Sequence, residues 1–169
     1  MAIVVETGTG SATSNSYVSV VTADAYWLAR NGTEWAAATT TVKEAALLAA
    51  AQYLDYKYLW INLRTHSLQA MAWPRFVAYY DDDGRQLDSN TVPQRVLDAQ
   101  CILANDAVVN GVGPLDSQER GGRIQSEGVG PLAVSYFADA PSGKRFPLVD
   151  ALVRDLVRGS AAFSDAARA

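Results

Sequence analysis

A chain of 169 residues, 49% hydrophobic and 19% charged, has the size and composition of one globular domain, and folding it would bury roughly 70% of the surface its unfolded chain exposes. With 18 acidic residues against 14 basic ones the net charge is −4, so there is no surplus of Lys and Arg to neutralise phosphates, which argues against a dedicated DNA-binding module. No apolar run approaches the ~20 residues of a membrane span, Met1-Ala2-Ile3-Val4-Val5-Glu6 lacks the pattern of a signal peptide, and a lone Cys101 allows no internal disulfide and fits a reducing compartment.

In chain order, Ile3-Val4-Val5 reads as a short strand, followed by a Gly/Ser/Thr loop from Thr7 to Asn15 and a second extended piece at Ser16-Tyr17-Val18-Ser19. Thr22 stands as N-cap of a first helix through Asp24, Tyr26, Trp27 and Leu28, which Asn31-Gly32 ends. Thr41-Val42-Lys43-Glu44 has the form of a capping box, with Glu44 reaching back to the cap amide. The helix it opens runs to about Tyr58, and at 1.5 Å per residue it is about 25 Å long. Leu47, Ala51, Leu54 and Tyr58 share one stripe of it, and the alanines from Ala45 to Ala51 keep that surface thin enough for another helix to approach closely.

From Ile61 to Asn90 the pattern is irregular, with Trp73-Pro74 breaking any helix and Asp81-Asp82-Asp83-Gly84 forming a turn. Pro93 stands at the first position of a third helix that runs to about Asn110 and carries Val96, Leu97, Cys101, Ala104, Ala107 and Val108 on a broad apolar face. Gly111 to Gly122 is a loop. Arg123–Glu127 and Leu132–Phe137, joined by Gly128-Val129-Gly130-Pro131, read as a hairpin. Pro147 opens a last helix with Leu148, Val149, Leu152, Val153 and Leu156 inward and Asp150 and Arg154 paired at i,i+4. Gly159 ends it, and Ser160 to Ala169 is a small-residue tail with one large apolar group, Phe163. The fold class is therefore mainly α: a four-helix bundle-like body, a β-hairpin (about 122–138) between the third and fourth helices, and extended N- and C-terminal arms. One helical domain spans 1–158, with an N-terminal arm over about 1–21, and 159–169 is a flexible C-terminal tail.

Candidate chemistry is sparse. Thr7-Gly8-Thr9-Gly10-Ser11 has the composition of a phosphate cradle but lacks both the Gly-Lys-Ser/Thr of a P-loop and the third glycine of a dinucleotide turn, so it reads as a loop. An EF-hand begun at Asp81 would need Glu where Val92 stands, which leaves a solvated turn. His66 is the only histidine, and with Cys101 it makes no zinc set; Cys101 lies on an apolar helix stripe, where cysteine is a small inert core residue. No serine sits in a Gly-x-Ser-x-Gly elbow. The sequence predicts no enzyme, no metal and no cofactor. The basic pairs Arg120 with Arg123 and Lys144 with Arg145 have no aromatics interleaved, so single-stranded oligonucleotides are expected to bind no tighter than the non-specific range of ~10⁻⁴ to 10⁻⁶ M.

Aromatic residues concentrate mid-chain, from Tyr53 to Tyr80. Trp73, held extended by Pro74, is expected in the core against the Leu47 and Leu54 side of the long helix, with Cys101 and Pro93 also structural. Tyr79, Tyr80, Gly130, Pro131 and Phe163 are candidate interface residues, since Tyr and Trp favour protein contacts.

Several segments together resemble a family found in tailed-phage genomes and labelled DnaT-like single-stranded DNA-binding protein. They are Val5-Glu6-Thr7-Gly8 to Asn15-Ser16-Tyr17-Val18, Ala23-Asp24-Ala25-Tyr26 with Trp35, Leu68-Gln69-Ala70-Met71-Ala72-Trp73-Pro74-Arg75, Val92-Pro93 through Asp98-Ala99, Val129-Gly130-Pro131-Leu132, and Arg145-Phe146-Pro147. The Trp-Pro-Arg element is the most specific of these, and the likeness reaches to about Leu156. In size and genome setting such genes resemble head-completion or adaptor proteins, helical bundles with arms that form rings (typically of twelve) under the portal. The resemblance implies a structural virion protein: a head-tail connector forming a homo-oligomeric dodecamer ring, bound to the portal protein and to tail or tail-completion proteins. Genomic dsDNA would pass through it without specific binding, no membrane would be involved, and it would be made in the bacterial host cytoplasm. In that setting the tail would lie along a neighbour, the portal, with Phe163 in a pocket. The alternative is a single-stranded DNA-binding accessory protein of phage replication, against which the acidic balance weighs.

Overall fold

The computed structural model describes residues 2–76, 86, 88–111, 126–129, 132–135 and 146–158. In order these form α1 (Val20–Leu28), α2 (Thr33–Ala37), α3 (Thr40–Lys57), α4 (Gln94–Asn110), β1 (Ser126–Val129), β2 (Leu132–Ser135) and α5 (Pro147–Val153), which tightens into a 3₁₀ turn at Arg154–Leu156. The fold is mainly helical. β1 and β2 pair antiparallel with Ser126 opposite Ser135 and Val129 opposite Leu132. Gly128 and Val129, expected in the connection of a hairpin, belong to β1, while Gly130, Pro131 and the outer ends of the expected strands, 123–125 and 136–137, lie outside the described residues.

The long helices follow the apolar spacing, but their caps do not stand where the sequence pattern suggests. Ser19, not Thr22, caps α1: its backbone is extended and its hydroxyl accepts the Thr22 N–H at 3.0 Å. Thr39, not Thr41, caps α3, accepting the Val42 N–H, so the Thr41–Glu44 box is already inside the helix. Pro93 is the N-cap of α4 and not its first residue. The five-residue α2 has no counterpart in the sequence reading. In α5 Pro147 does open the helix, and Val149, Val153 and the following Leu156 are buried, but Leu148 is exposed. Asp150 is taken by the Tyr58 hydroxyl at 2.6 Å, and Arg154 turns to Asp155 at 3.2 Å, so the expected i,i+4 pair does not form. Gly159 lies outside the described residues.

The core is built on α3 against α4, the most extensive helix–helix contact. Ala46, Ala50 and Ala51 are buried beside Leu47 and Leu54, and α4 answers with Val96, Ala99, Cys101, Leu103, Ala104 and Ala107. Small side chains on both helices bring the backbones close, and the larger volume is filled at the ends by Trp35, Trp60 and Trp73. One polar side chain sits inside this apolar contact. Gln100 is fully buried, accepts the Tyr17 N–H at 3.0 Å, and donates to Ser16 Oγ at 2.7 Å and to the Leu47 carbonyl at 2.9 Å, so every hydrogen bond it needs is met internally.

That amide changes the reading of the N-terminus. Residues expected as an extended arm lie instead against the body: Ser16, Tyr17 and Val18 are buried, and Val5 and Ser16 form an isolated parallel bridge. The Gly/Ser/Thr loop is drawn in because Glu6 gathers its backbone donors and Gln100 holds Ser16 and Tyr17.

Candidate nucleic-acid interface

Beyond the C-terminal end of α3 the chain makes two short antiparallel pairings, about Trp60 and about Arg64, on either side of a bend at Ile61–Asn62. Ile61 N–H donates to the Leu156 carbonyl at 3.0 Å and Arg158 N–H to Leu59 at 2.6 Å, which sets Trp60 opposite Val157. Further on, Phe76 N–H donates to the Leu63 carbonyl at 2.8 Å and Thr65 N–H to Pro74 at 3.3 Å, which sets Arg64 opposite Arg75. Residues opposite each other in an antiparallel ladder share a face, so Leu63 stands with Phe76 and Leu59 with Arg158. Leu59, Leu63 and Phe76 are exposed at 75, 71 and 54%.

Two arginines directly opposite each other are unfavourable unless one is engaged elsewhere. Arg75 is so engaged: its guanidinium donates to the carbonyls of Ile61 and Asn62 at 2.5 Å, Ala72 at 2.9 Å and Trp60 at 3.4 Å, clamping the bend at Asn62, whose φ is 57°. Its pKa is lowered from the ordinary value by burial and by the positive charges of Arg64 and Arg158. Arg64 and Arg158 are exposed, with Arg64 donating to the Gln69 carbonyl at 3.3 Å. Among the described residues no carboxylate is within ion-pair distance of these three arginines. Asp55 lies close enough to feel Arg64 and Arg75 and accepts the Tyr17 hydroxyl and the Ala72 N–H; burial raises its pKa, and those bonds together with the two arginines only partly offset the rise. Adjacent pairs of a ladder alternate faces, so Arg64 and Arg75 stand on the side opposite to Leu63 and Phe76; an exposed cation can meet a phosphodiester and an exposed aromatic ring a base.

The turn behind this surface is held by Gln69, whose side chain accepts the His66 N–H at 3.0 Å and donates to the carbonyls of Met71 at 2.8 Å and Pro74 at 3.0 Å. The Trp73–Pro74 bond is cis. The N-terminal loop reaches the same turn, Ala70 N–H donating to the Ser11 carbonyl at 2.9 Å. That loop does enclose an anion, but the anion is the chain's own. The buried Glu6 carboxylate receives the N–H groups of Gly8 (2.9 Å), Gly10 (3.0 Å) and Ser11 (2.9 Å) and the Ser14 hydroxyl (2.8 Å). Burial raises its pKa, but these donors outweigh burial and hold it below the ordinary value. Gly8 is required twice over, by its φ of 99° and because a Cβ there would collide with the Asn90 carbonyl.

The residues expected to matter structurally, Leu47, Leu54, Trp73, Pro74, Pro93 and Cys101, are all buried. Burial raises the Cys101 thiol to about 12, with Asp98 adding to the effect. The candidate interface residues Tyr79, Tyr80, Gly130, Pro131 and Phe163 lie outside the described residues, as do Arg120, Arg123, Lys144, Arg145 and the Asp81–Asp83 run. Sequence reading missed the arginine surface because it looked for basic residues adjacent in the chain, whereas Arg64, Arg75 and Arg158 meet only through the two ladders. Among the described residues no group of His, Cys, Asp and Glu is placed to hold a metal ion, and no helix is long and apolar enough to cross a membrane.

Over residues 1–169 the chain matches the model of the family described as "Putative DnaT-like ssDNA binding protein", and it belongs to that family. No curated protein and no solved structure is matched.

Proposed function

We propose that this protein is a single-stranded DNA-binding accessory protein of phage replication, acting by binding and not by catalysis. The observation that carries the reading is the family match along the whole chain. The segment around Leu59–Phe76 supports it chemically: the exposed Arg64 and Arg158 offer counter-charge to backbone phosphates, and the exposed Phe76, on the face of its ladder opposite to Arg64, offers an aromatic ring on which a base can stack without regard to sequence. A net charge of −4 keeps the affinity modest and makes it depend on those few cations. The connector-ring reading, with its portal and tail partners, rests on likeness of gene size and setting, and the family match does not extend to it.

Fluorescence anisotropy of a labelled oligothymidylate tests the proposal. Saturable binding is expected at low salt, weakening as salt is raised, and the Arg64→Glu, Arg158→Glu double variant loses about tenfold or more in affinity. No saturable binding at low salt sinks the reading, and a ring of the intact chain in sedimentation under the same conditions would bring back the connector.

A further inference from the structure

Close to Arg64 stands an exposed apolar side chain that neither ladder accounts for. Residues 66–69 make a tight turn, in which the Gln69 N–H donates to the His66 carbonyl at 3.3 Å and the Gln69 side-chain oxygen accepts the His66 N–H at 3.0 Å. Gln69 therefore holds both backbone groups of His66 and closes the turn from inside, itself only 3% exposed. Ser67 and Leu68 form the tip, and Leu68 is 82% exposed.

An exposed leucine on a loose loop is ordinary, but this turn is tied down from three further directions. The Ala70 N–H donates to the Ser11 carbonyl at 2.9 Å and the Thr65 hydroxyl to the Ser89 carbonyl at 3.1 Å. The Gln69 amide donates to the carbonyls of Met71 at 2.8 Å and Pro74 at 3.0 Å. Gly10 makes room for the His66 ring, since a Cβ there would stand 2.3 Å from His66 Cδ2. A side chain carried on so fixed a backbone gives up little freedom when a ligand covers it.

The chemistry around the tip says what that ligand is. Arg64 donates to the Gln69 carbonyl at 3.3 Å, which brings its exposed guanidinium within one residue of Leu68, on the side of the ladder away from Phe76. No carboxylate pairs with Arg64 among the described residues, and Asp88, next to Ser89, is turned onto the Asn90 N–H at 3.0 Å. Among the described residues the Ser67 and Leu68 N–H groups have no acceptor. A cation with backbone N–H donors suits a phosphodiester, and an apolar tip beside them suits a base that is not stacked on its neighbour.

We propose that the turn 65–69 is a base-contacting subsite for single-stranded DNA. Leu68 packs against one base face, as aliphatic wedges do between base steps, while Arg64 and the N–H groups of Ser67 and Leu68 hold the adjoining phosphate. The subsite rests on the DNA-binding reading and deepens it, because it names where an apolar contact and a phosphate contact fall side by side. In a duplex the base faces are stacked on each other, so a tip of this kind meets bases only along a single strand.

The test compares binding of the full chain to a labelled oligothymidylate and to an abasic strand of the same length, by fluorescence anisotropy. The unaltered chain is expected to prefer the oligothymidylate about fivefold or more. Leu68→Ser, at a position too exposed to disturb the fold, is expected to bring that ratio toward one without changing the dependence on salt, since no phosphate contact is lost. Leu68→Trp, which offers a larger face at the same tip, is expected to raise the ratio. Arg64→Gln is expected to weaken both strands and flatten the salt dependence. A ratio of one in the unaltered chain, or a full ratio in Leu68→Ser, overturns the subsite and leaves the DNA-binding reading to the other contacts. A ratio lowered equally by serine and tryptophan assigns the loss to the shape of the turn and also overturns the contact. Binding to neither strand at low salt removes the DNA-binding reading and the subsite with it.

Discussion

Two segments draw a carboxylate away from water, the N-terminal loop at Glu6 and the junction of α3 with the Trp73 turn at Asp55, and they shift its titration in opposite directions. Burial raises both groups. At Glu6 three backbone N–H groups and a hydroxyl, all within 3.0 Å, outweigh it. At Asp55 one N–H, the Tyr17 hydroxyl and two arginines that make no ion pair with it do not. What matters is less how deeply a carboxylate sits than how many donors are aimed at it. The consequences for stability have opposite signs. Glu6 contributes stability that is complete above its ordinary value of 4.5 and is lost as pH falls through its lower folded value. Asp55 contributes stability that is complete below 3.8 and is lost as pH rises through its raised folded value.

The comparison can be broken most violently at the junction. Trp73 is 1% exposed and meets Trp60 edge to face at 5.7 Å, so Trp73→Ala is expected to cost ~3–5 kcal/mol in chemical denaturation. A loss below about 1 kcal/mol would mean that the junction does not depend on its aromatic pair. Next comes Glu6→Gln, which swaps charge-assisted bonds for neutral ones and turns an amide N–H toward other donors. The expected cost is about 2–3 kcal/mol at neutral pH, shrinking as pH falls below 4.5. Urea melts at several pH values measure it, and a cost that does not change with pH contradicts the assignment of Glu6 as the loop's organiser. The smallest effect belongs to Asp55→Asn, expected within about 1 kcal/mol at neutral pH because the amide still accepts from Ala72 and no buried charge is left. Here the unaltered chain gains on the variant as pH falls, the reverse of Glu6. The same slope for both variants would end the contrast.

Much of the helical body was legible. The alanines of α3 and the apolar face of α4 report directly that two helices lie close, because 3.6-residue spacing survives in any helix buried on one side. Caps were less legible, since Ser19, Thr22, Thr39 and Thr41 are all plausible by residue type and only backbone conformation chooses among them. The N-terminal loop was misread because its order comes from one side chain, Glu6, and from Gln100, which lies some 84 positions along the chain from Ser16. Leu148 was misplaced for a related reason: α5 is only seven residues long, too short for periodicity to fix its inward face. Of the arginine surface, only the Trp-Pro-Arg element was visible beforehand, as a mark of resemblance and not as a place where charges gather.

The four tryptophans fall into two pairs, one at each end of α3. Trp27 and Trp35 line a cavity between α1, α2 and the start of α3, where the Trp35 indole N–H is held by Asp24, so a rearrangement there changes their surroundings. Trp60 and Trp73 are crossed at 82° and close enough to couple as chromophores, which gives the junction a chiral ultraviolet band of its own. The chain thus carries separate optical signals for its two ends, and an unlabelled sample can tell a change at one from a change at the other.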